Sequence, residues 1–141
     1  PAALSEVYAL SYYYYGMEGF SDPELVERAQ EYTQAHMDMY GEPPDAYGTI
    51  AYIATSIMLE AVEEAGTFDV DAVSEVLATK EFETVKGDAF FREDHELVGD
   101  YLAFVVKGKD PAQASGEWDV FEVMGYFGGE SALPSLESLG Y

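Results

Sequence analysis

The chain has 141 residues and a mass of 15.5 kDa, about one domain and long enough to bury a core. Hydrophobic residues make up 48% of it and aromatics 15%, which excludes a disordered chain. Its 28 acidic residues face 6 basic ones, and the formal net charge of -22 argues against nucleic acid, or anionic lipid held by a basic patch, as a partner.

Residues 7–15 are rich in aromatics and predict a strand closed by Gly16. A helix is predicted over 22–40. Ser21 or Asp22 can cap it, Pro23 suits its first turn, and Leu25, Ala29, Tyr32, His36 and Met39 recur on one face. Gly41-Glu42-Pro43-Pro44 stops it. A second helix is predicted over 45–65. Ile50, Ile53, Ala54, Ile57, Met58, Ala61, Val62 and Ala65 cover more than half its circumference, which predicts burial on several sides. Gly66 is its stop, and Asp69 caps a short third helix over 69–78 with Val70, Val73, Val76 and Leu77 inward. After Lys80 the period changes, and segments 87–92, 101–107 and 118–127 read as strands. Residues 111–116 read as a loop and 128–141 as a tail without regular structure. A strand, three helices and then strands predict part of an α/β protein with a β-rich end.

The lysines and arginines are too few to pair with the acids. Unpaired carboxylates repel one another at low salt, and at molar salt a Debye length of about 3 Å screens that repulsion. The balance predicts a halophile's protein, with an acidic protein of an ordinary organism as the alternative. No apolar run approaches the ~20 residues that span a bilayer. The sequence starts at Pro1 without a signal-peptide pattern and reads as a piece of a longer protein.

Chemistry has little to stand on. Without cysteine there is no disulfide, thiolate zinc site or thiol nucleophile. Glu93-Asp94-His95-Glu96 is the one local cluster of acids with a histidine. Adjacent residues of a turn point apart, so a turn whose side chains bond the backbone is expected over a metal or general-base site. The glycines of Gly125-Tyr126-Phe127-Gly128-Gly129 lack the lysine and following helix of a phosphate loop, and no serine sits in a G-x-S-x-G elbow. Tyr12, Tyr13, Tyr14 and Tyr15 combine apolar faces with polar tips. Either one of them faces a ligand or a hinge, or they alternate between the core and solvent faces of one strand.

From Glu31-Tyr32 the first helix runs to Tyr40-Gly41-Glu42-Pro43-Pro44, a Y-G-x-x-P turn. Ala51-Tyr52-Ile53-Ala54 is followed by Glu60-Ala61-Val62-Glu63-Glu64-Ala65-Gly66-Thr67-Phe68-Asp69. Then come Val73-Ser74-Glu75-Val76-Leu77, Phe82, Lys86-Gly87-Asp88-Ala89-Phe90-Phe91 and Arg92-Glu93-Asp94-His95-Glu96. Trp118-Asp119-Val120-Phe121-Glu122-Val123 and Leu133-Pro134 close the series. In this order and spacing the segments resemble the C-terminal part of a type I periplasmic substrate-binding protein. The nearest branch is the branched-chain amino acid, amide and urea binders of ABC importers, with Glu96 where one branch has Gln.

The resemblance implies an α/β fold that is part of a two-lobed architecture. Its lobes would be three-layer α/β/α sandwiches with mostly parallel sheets, joined by three hinge crossings. Residues 1–16 would be a hinge or inter-lobe strand region, with a crossing near 12–15. Residues 17–110 would be the second half of the N-terminal lobe, and 111–141 closing strands and tail. The groups that grip the ligand's carboxylate and amino group would lie upstream of Pro1. Tyr47, five residues before Tyr52, would line the cleft, its alternative being a first-turn residue packed on the sheet. Tyr14 is the second ligand-binding candidate. The implied function is the extracytoplasmic solute-binding component of an ABC importer for amino acids, amides or urea-like solutes, closing about a hinge. No bond is made or broken, so no enzyme, cofactor or metal is implied. The partners would be the solute and a membrane permease, with no nucleic acid, and the location the periplasm or the outer face of the membrane through an upstream anchor. A ligand-sensing regulatory or receptor domain of the same fold is the alternative.

Overall fold

In the computed structural model, which describes residues 5–17 and 20–141, the three long helices each begin at an aspartate. Residues 1–4 of the expected inter-lobe segment lie outside the described residues. Asp22, Asp45 and Asp69 turn their carboxylates onto free amides and start α1 (Pro23–Tyr40), α2 (Ala46–Ala65) and α3 (Val70–Thr79). The cap of α1 is Asp22, which accepts from the amides of Glu24 and Leu25 at 3.1 Å each. Gly41 and Gly66 end the first two helices. All three helices lie where the apolar period and the caps put them.

The strands are β1 (Tyr8–Ser11), β2 (Glu81–Thr84), β3 (Gly87–Phe91), β4 (Leu97–Gly99), β5 (Ala103–Gly108) and β6 (Phe121–Phe127). They form two three-stranded sheets, ordered β1-β5-β6 and β2-β3-β4. The mixture of helix and sheet agrees with the α/β expectation. Every ladder between these strands is antiparallel, unlike the mostly parallel lobes the resemblance implies. Only Val85 and Lys86 join β2 to β3, and a parallel pair needs a crossover of a dozen residues or more.

Several expectations need correction. The first strand ends at Ser11, whose hydroxyl donates to the Tyr13 carbonyl at 2.6 Å and helps bend the chain. Tyr13 and Tyr14 are then both buried, which one alternating strand would not allow. Of α2, only Thr49, Ile53, Ile57 and Ala61 are buried, while Ile50 and Met58 are exposed. Within these residues only one face of that helix finds cover. Val70, the first residue of α3, is also exposed and not inward. The tail is not irregular throughout: a short 3-10 turn (Glu130–Ala132) precedes α4 (Leu136–Leu139), capped by Ser135. Strands β2 and β4 are too short to show a period in the sequence.

Two apolar clusters result. Tyr14, Met17, Leu25 and Ala29 pack with Phe104 and Val106 of β5. Ile53, Ile57 and Ala61 of α2 pack with Val73 of α3 and Phe82 of β2. Residues 99–102 link the sheets and are held from both sides. The Lys86 ammonium donates to the Leu102 carbonyl at 2.8 Å, and the Gly129 amide to the Gly99 carbonyl at 2.8 Å. A Cβ on Gly128 would lie 1.7 Å from the Asp100 carbonyl oxygen, so only glycine fits this approach.

Candidate functional site

Tyr47 sits in the first turn of α2 and is 77% exposed. The Asp45 carboxylate shapes this turn by accepting from the Tyr47 and Gly48 amides at 2.8 and 2.9 Å. The Gly48 and Tyr47 amides hold that carboxyl below the usual range. Among the described residues the Tyr47 ring meets one other aromatic ring, that of Tyr12, edge to face with centroids 6.4 Å apart. Tyr12 is itself exposed, just past the end of β1.

Behind this pair the tyrosines are tied down. The Tyr13 hydroxyl lies 3.5 Å from both the Ala29 carbonyl and the Thr33 hydroxyl, and burial pushes its pKa up to about 12. Tyr32 stacks on Tyr52 with centroids 4.6 Å apart, and its hydroxyl lies 3.3 Å from that of Thr49. Burial raises the Tyr32 pKa as well. Tyr32, His36, Tyr52, Ile53, Ile57 and Glu60 line a groove of about 950 Å³ between α1, α2 and β2. The groove is large enough for a small solute. Tyr47 stands beside it, while its neighbours Gly48 and Ala51 line it.

Tyr14 is placed elsewhere. It is 6% exposed, and its hydroxyl accepts the Phe121 amide at 2.9 Å. Its ring meets Phe121 edge to face. It borders a second hollow of about 770 Å³ with Gln30, Gln34, Lys109 and Trp118. The structure therefore does not bring Tyr14 and Tyr47 into one hollow. Tyr15 donates its hydroxyl to the Trp118 carbonyl, and burial raises its pKa.

The acid-histidine cluster is a turn, as expected. Asp94 grips Arg92 with both oxygens, at 2.9 Å to Nε and 2.6 Å to Nη2. Arg92 also donates to the Pro134 carbonyl at 2.9 Å and so ties the tail to this turn. The guanidinium holds the Asp94 carboxyl below its ordinary pKa. His95 adopts a left-handed conformation, φ 67°, and its amide closes the turn onto the Arg92 carbonyl. Among the described residues no group of three or more His, Asp or Glu is placed to hold a metal.

Sequence reasoning missed Tyr12 as the partner of Tyr47 and Tyr52 as that of Tyr32. The five-residue spacing of Tyr47 and Tyr52 was a usable signal. It places the two rings at different angles around α2, one toward β1 and one toward α1.

A family model described as periplasmic binding protein matches residues 1–112. The fold resembles a branched-chain amino acid ABC transporter periplasmic ligand-binding protein from Burkholderia xenovorans LB400, at 23% identity and a TM-score of 0.82, over 97% of this chain and 34% of that one. It resembles an amino acid ABC transporter substrate-binding protein from Pseudomonas fluorescens Pf-5, at 21% identity and a TM-score of 0.80, over 99% of this chain and 35% of that one. An ABC-type branched-chain amino acid transporter from Rhodopseudomonas palustris CGA009 matches at 26% identity and a TM-score of 0.67, over 92% of this chain and 34% of that one. The chain spans about a third of the length of these structures. No curated protein sequence matches it.

Proposed function

The chain belongs to the periplasmic binding protein family, whose members bind substrates and are not enzymes, and from that premise we propose that it is the C-terminal portion of an extracytoplasmic solute-binding protein. The intact protein would capture an amino acid, amide or urea-like solute and hand it to an ABC permease. The observation that carries this reading is the family match over residues 1–112. The solved structures named above support the amino-acid part of that range, since both belong to amino acid ABC transporters.

On this reading residues 1–16 contribute an inter-lobe crossing, 17–110 the second half of the N-terminal lobe, and 111–141 the closing strands. The shared sheet β1-β5-β6 takes one strand from each of these segments and would couple them. Closure about the crossings would trap the solute, and its free energy is limited to the solute's differential affinity for the closed form. Tyr47 is the residue proposed to face the solute, supported by its exposure at the helix start. Tyr14, with its buried ring on β6, would act on the open-closed balance and not by contact. An upstream anchor and a saline habitat belong to the same proposal, the second supported by the charge of -22.

Titration calorimetry on the intact protein tests the site. Tyr47→Ala is expected to weaken binding by about 1–3 kcal/mol, roughly a five- to hundredfold rise in Kd, the range for losing buried apolar contact. Unchanged affinity would remove Tyr47 from the cleft.

A further inference from the structure

Two exposed apolar faces meet at Tyr12 and Tyr47. The first is the outer side of the sheet β1-β5-β6. Its inner side buries Phe104 and Val106. Tyr8 and Leu10 register with Lys107 and Val105 of β5, and Phe127 of β6 with Ala103, so all of these share the outer side. There Leu10 is 69% exposed, and Tyr8 and Phe127 are more than half exposed. Within this register the charged residues of the outer side are Lys107 and Glu122, and they pair with each other. The second face belongs to α2. Tyr47, Ile50, Ala54 and Met58 recur at three and four residues and are all exposed, away from the buried Thr49, Ile53 and Ile57. The helix carries no charged residue before Glu60. Tyr12, the next outward position after Leu10, touches Tyr47 ring to ring and makes the two faces continuous.

A chain with 28 acidic residues thus keeps one continuous surface almost free of charge, and a contiguous exposed apolar surface of this kind marks an interface. The size of the relatives and the path of the chain say what covers it. The solved structures it resembles are about three times as long, and this chain accounts for 34% and 35% of two of them. Strand β1 is the edge of its sheet and begins at Tyr8, so the polypeptide before it arrives at the rim of the sheet face. A second copy would bring another charge of -22 against the first. A segment of the same polypeptide is held near the surface at an effective concentration of about millimolar. We propose that the two faces form one docking surface whose occupant is the part of the polypeptide upstream of Pro1, presenting an uncharged apolar surface of its own. This rests on the reading that the chain is the C-terminal portion of a longer protein and adds the residues through which the parts join. A solute between the parts would still reach Tyr47, where the two faces meet.

The test uses the absence of cysteine from these residues. Leu10→Cys and Met58→Cys, one on each face, are made in the intact protein and labelled with a maleimide, with the wild type as blank. Each thiol is expected to react at least about tenfold more slowly in the native protein than in urea, as a covered side chain does. Protection should be the same at every protein concentration. Unchanged melting temperatures will show that the variants fold. Should either fail to fold, hydroxyl-radical footprinting of the wild type reads Met58 and Phe127 directly, and both are expected to be protected relative to the urea-unfolded protein. Labelling or oxidation as fast in the native protein as in urea overturns the proposal. Protection that falls on dilution assigns the surface to a second copy and overturns it too. Fast labelling of a protein that still binds an amino acid or amide leaves solute capture standing. Protection without binding of any such solute leaves the docking surface standing and removes solute capture.

Discussion

Lys86 carries its amine into a buried turn. It lies in the β2–β3 turn, is 8% exposed and donates to the Leu102 carbonyl, with no carboxylate partner among the described residues. Burial lowers its pKa from 10.5 to about 8. A folded pKa below the unfolded one means that the unfolded chain binds more protons between these values. Stability therefore rises with pH across this window, and the penalty for the charge is fully present below about pH 8. Integrating the two titrations from about pH 7 to about pH 9.5 gives a gain of about 2 kcal/mol. Lys86→Met keeps the length of the stem and removes the titration. The assay is urea unfolding of both proteins at fixed salt over that pH range, kept below the region where Tyr13 and Tyr101, pushed up to about 12 by burial, begin to contribute. The wild type should gain about 2 kcal/mol relative to Lys86→Met. Parallel curves would show that the amine is hydrated or paired, and the packing of the turn against residues 99–102 would be wrong.

Gly128→Ala should destabilise by about 1–3 kcal/mol or more, seen as a lower urea midpoint, because its Cβ would need the place of the Asp100 carbonyl. Asp94→Asn should lower the melting temperature and loosen the tail held through Arg92 and Pro134, while His95→Ala and Asp94→Asn leave solute affinity unchanged; stoichiometric metal bound by the wild type and lost in either variant would contradict this. Raising KCl from low to molar concentration should raise the melting temperature steeply, since five of the six basic residues already hold acids and the remaining carboxylates repel; a flat response would remove the halophile reading.

The helices were legible because their signals are local. An aspartate cap, an apolar period and a glycine stop all lie within one element, as at Asp45, Ile53-Ile57-Ala61 and Gly66. The antiparallel pairing was not legible, because it depends on which strands meet. Residues 8–11 pair with 104–107 across almost a hundred residues of sequence. The burial of α2 was overestimated for a related reason. Its apolar circumference shows that the helix can be covered, and not by what. For the site, the sequence pointed to tyrosines but could not separate them. Tyr14 turns into the core onto Phe121 and Tyr12 turns out to Tyr47, although they are two residues apart and chemically identical. That difference arises from the bend after Ser11, which a run of β-favouring aromatics conceals.

Solute capture is tested by a thermal-shift panel of amino acids, amides and urea on the intact protein. A ligand that binds only the folded state at about a hundred times its Kd stabilises by about 2.7 kcal/mol, a readable rise in melting temperature. Such a saturable rise is expected for at least one member of the panel, reduced by Tyr47→Ala. No rise with any of them would contradict solute capture.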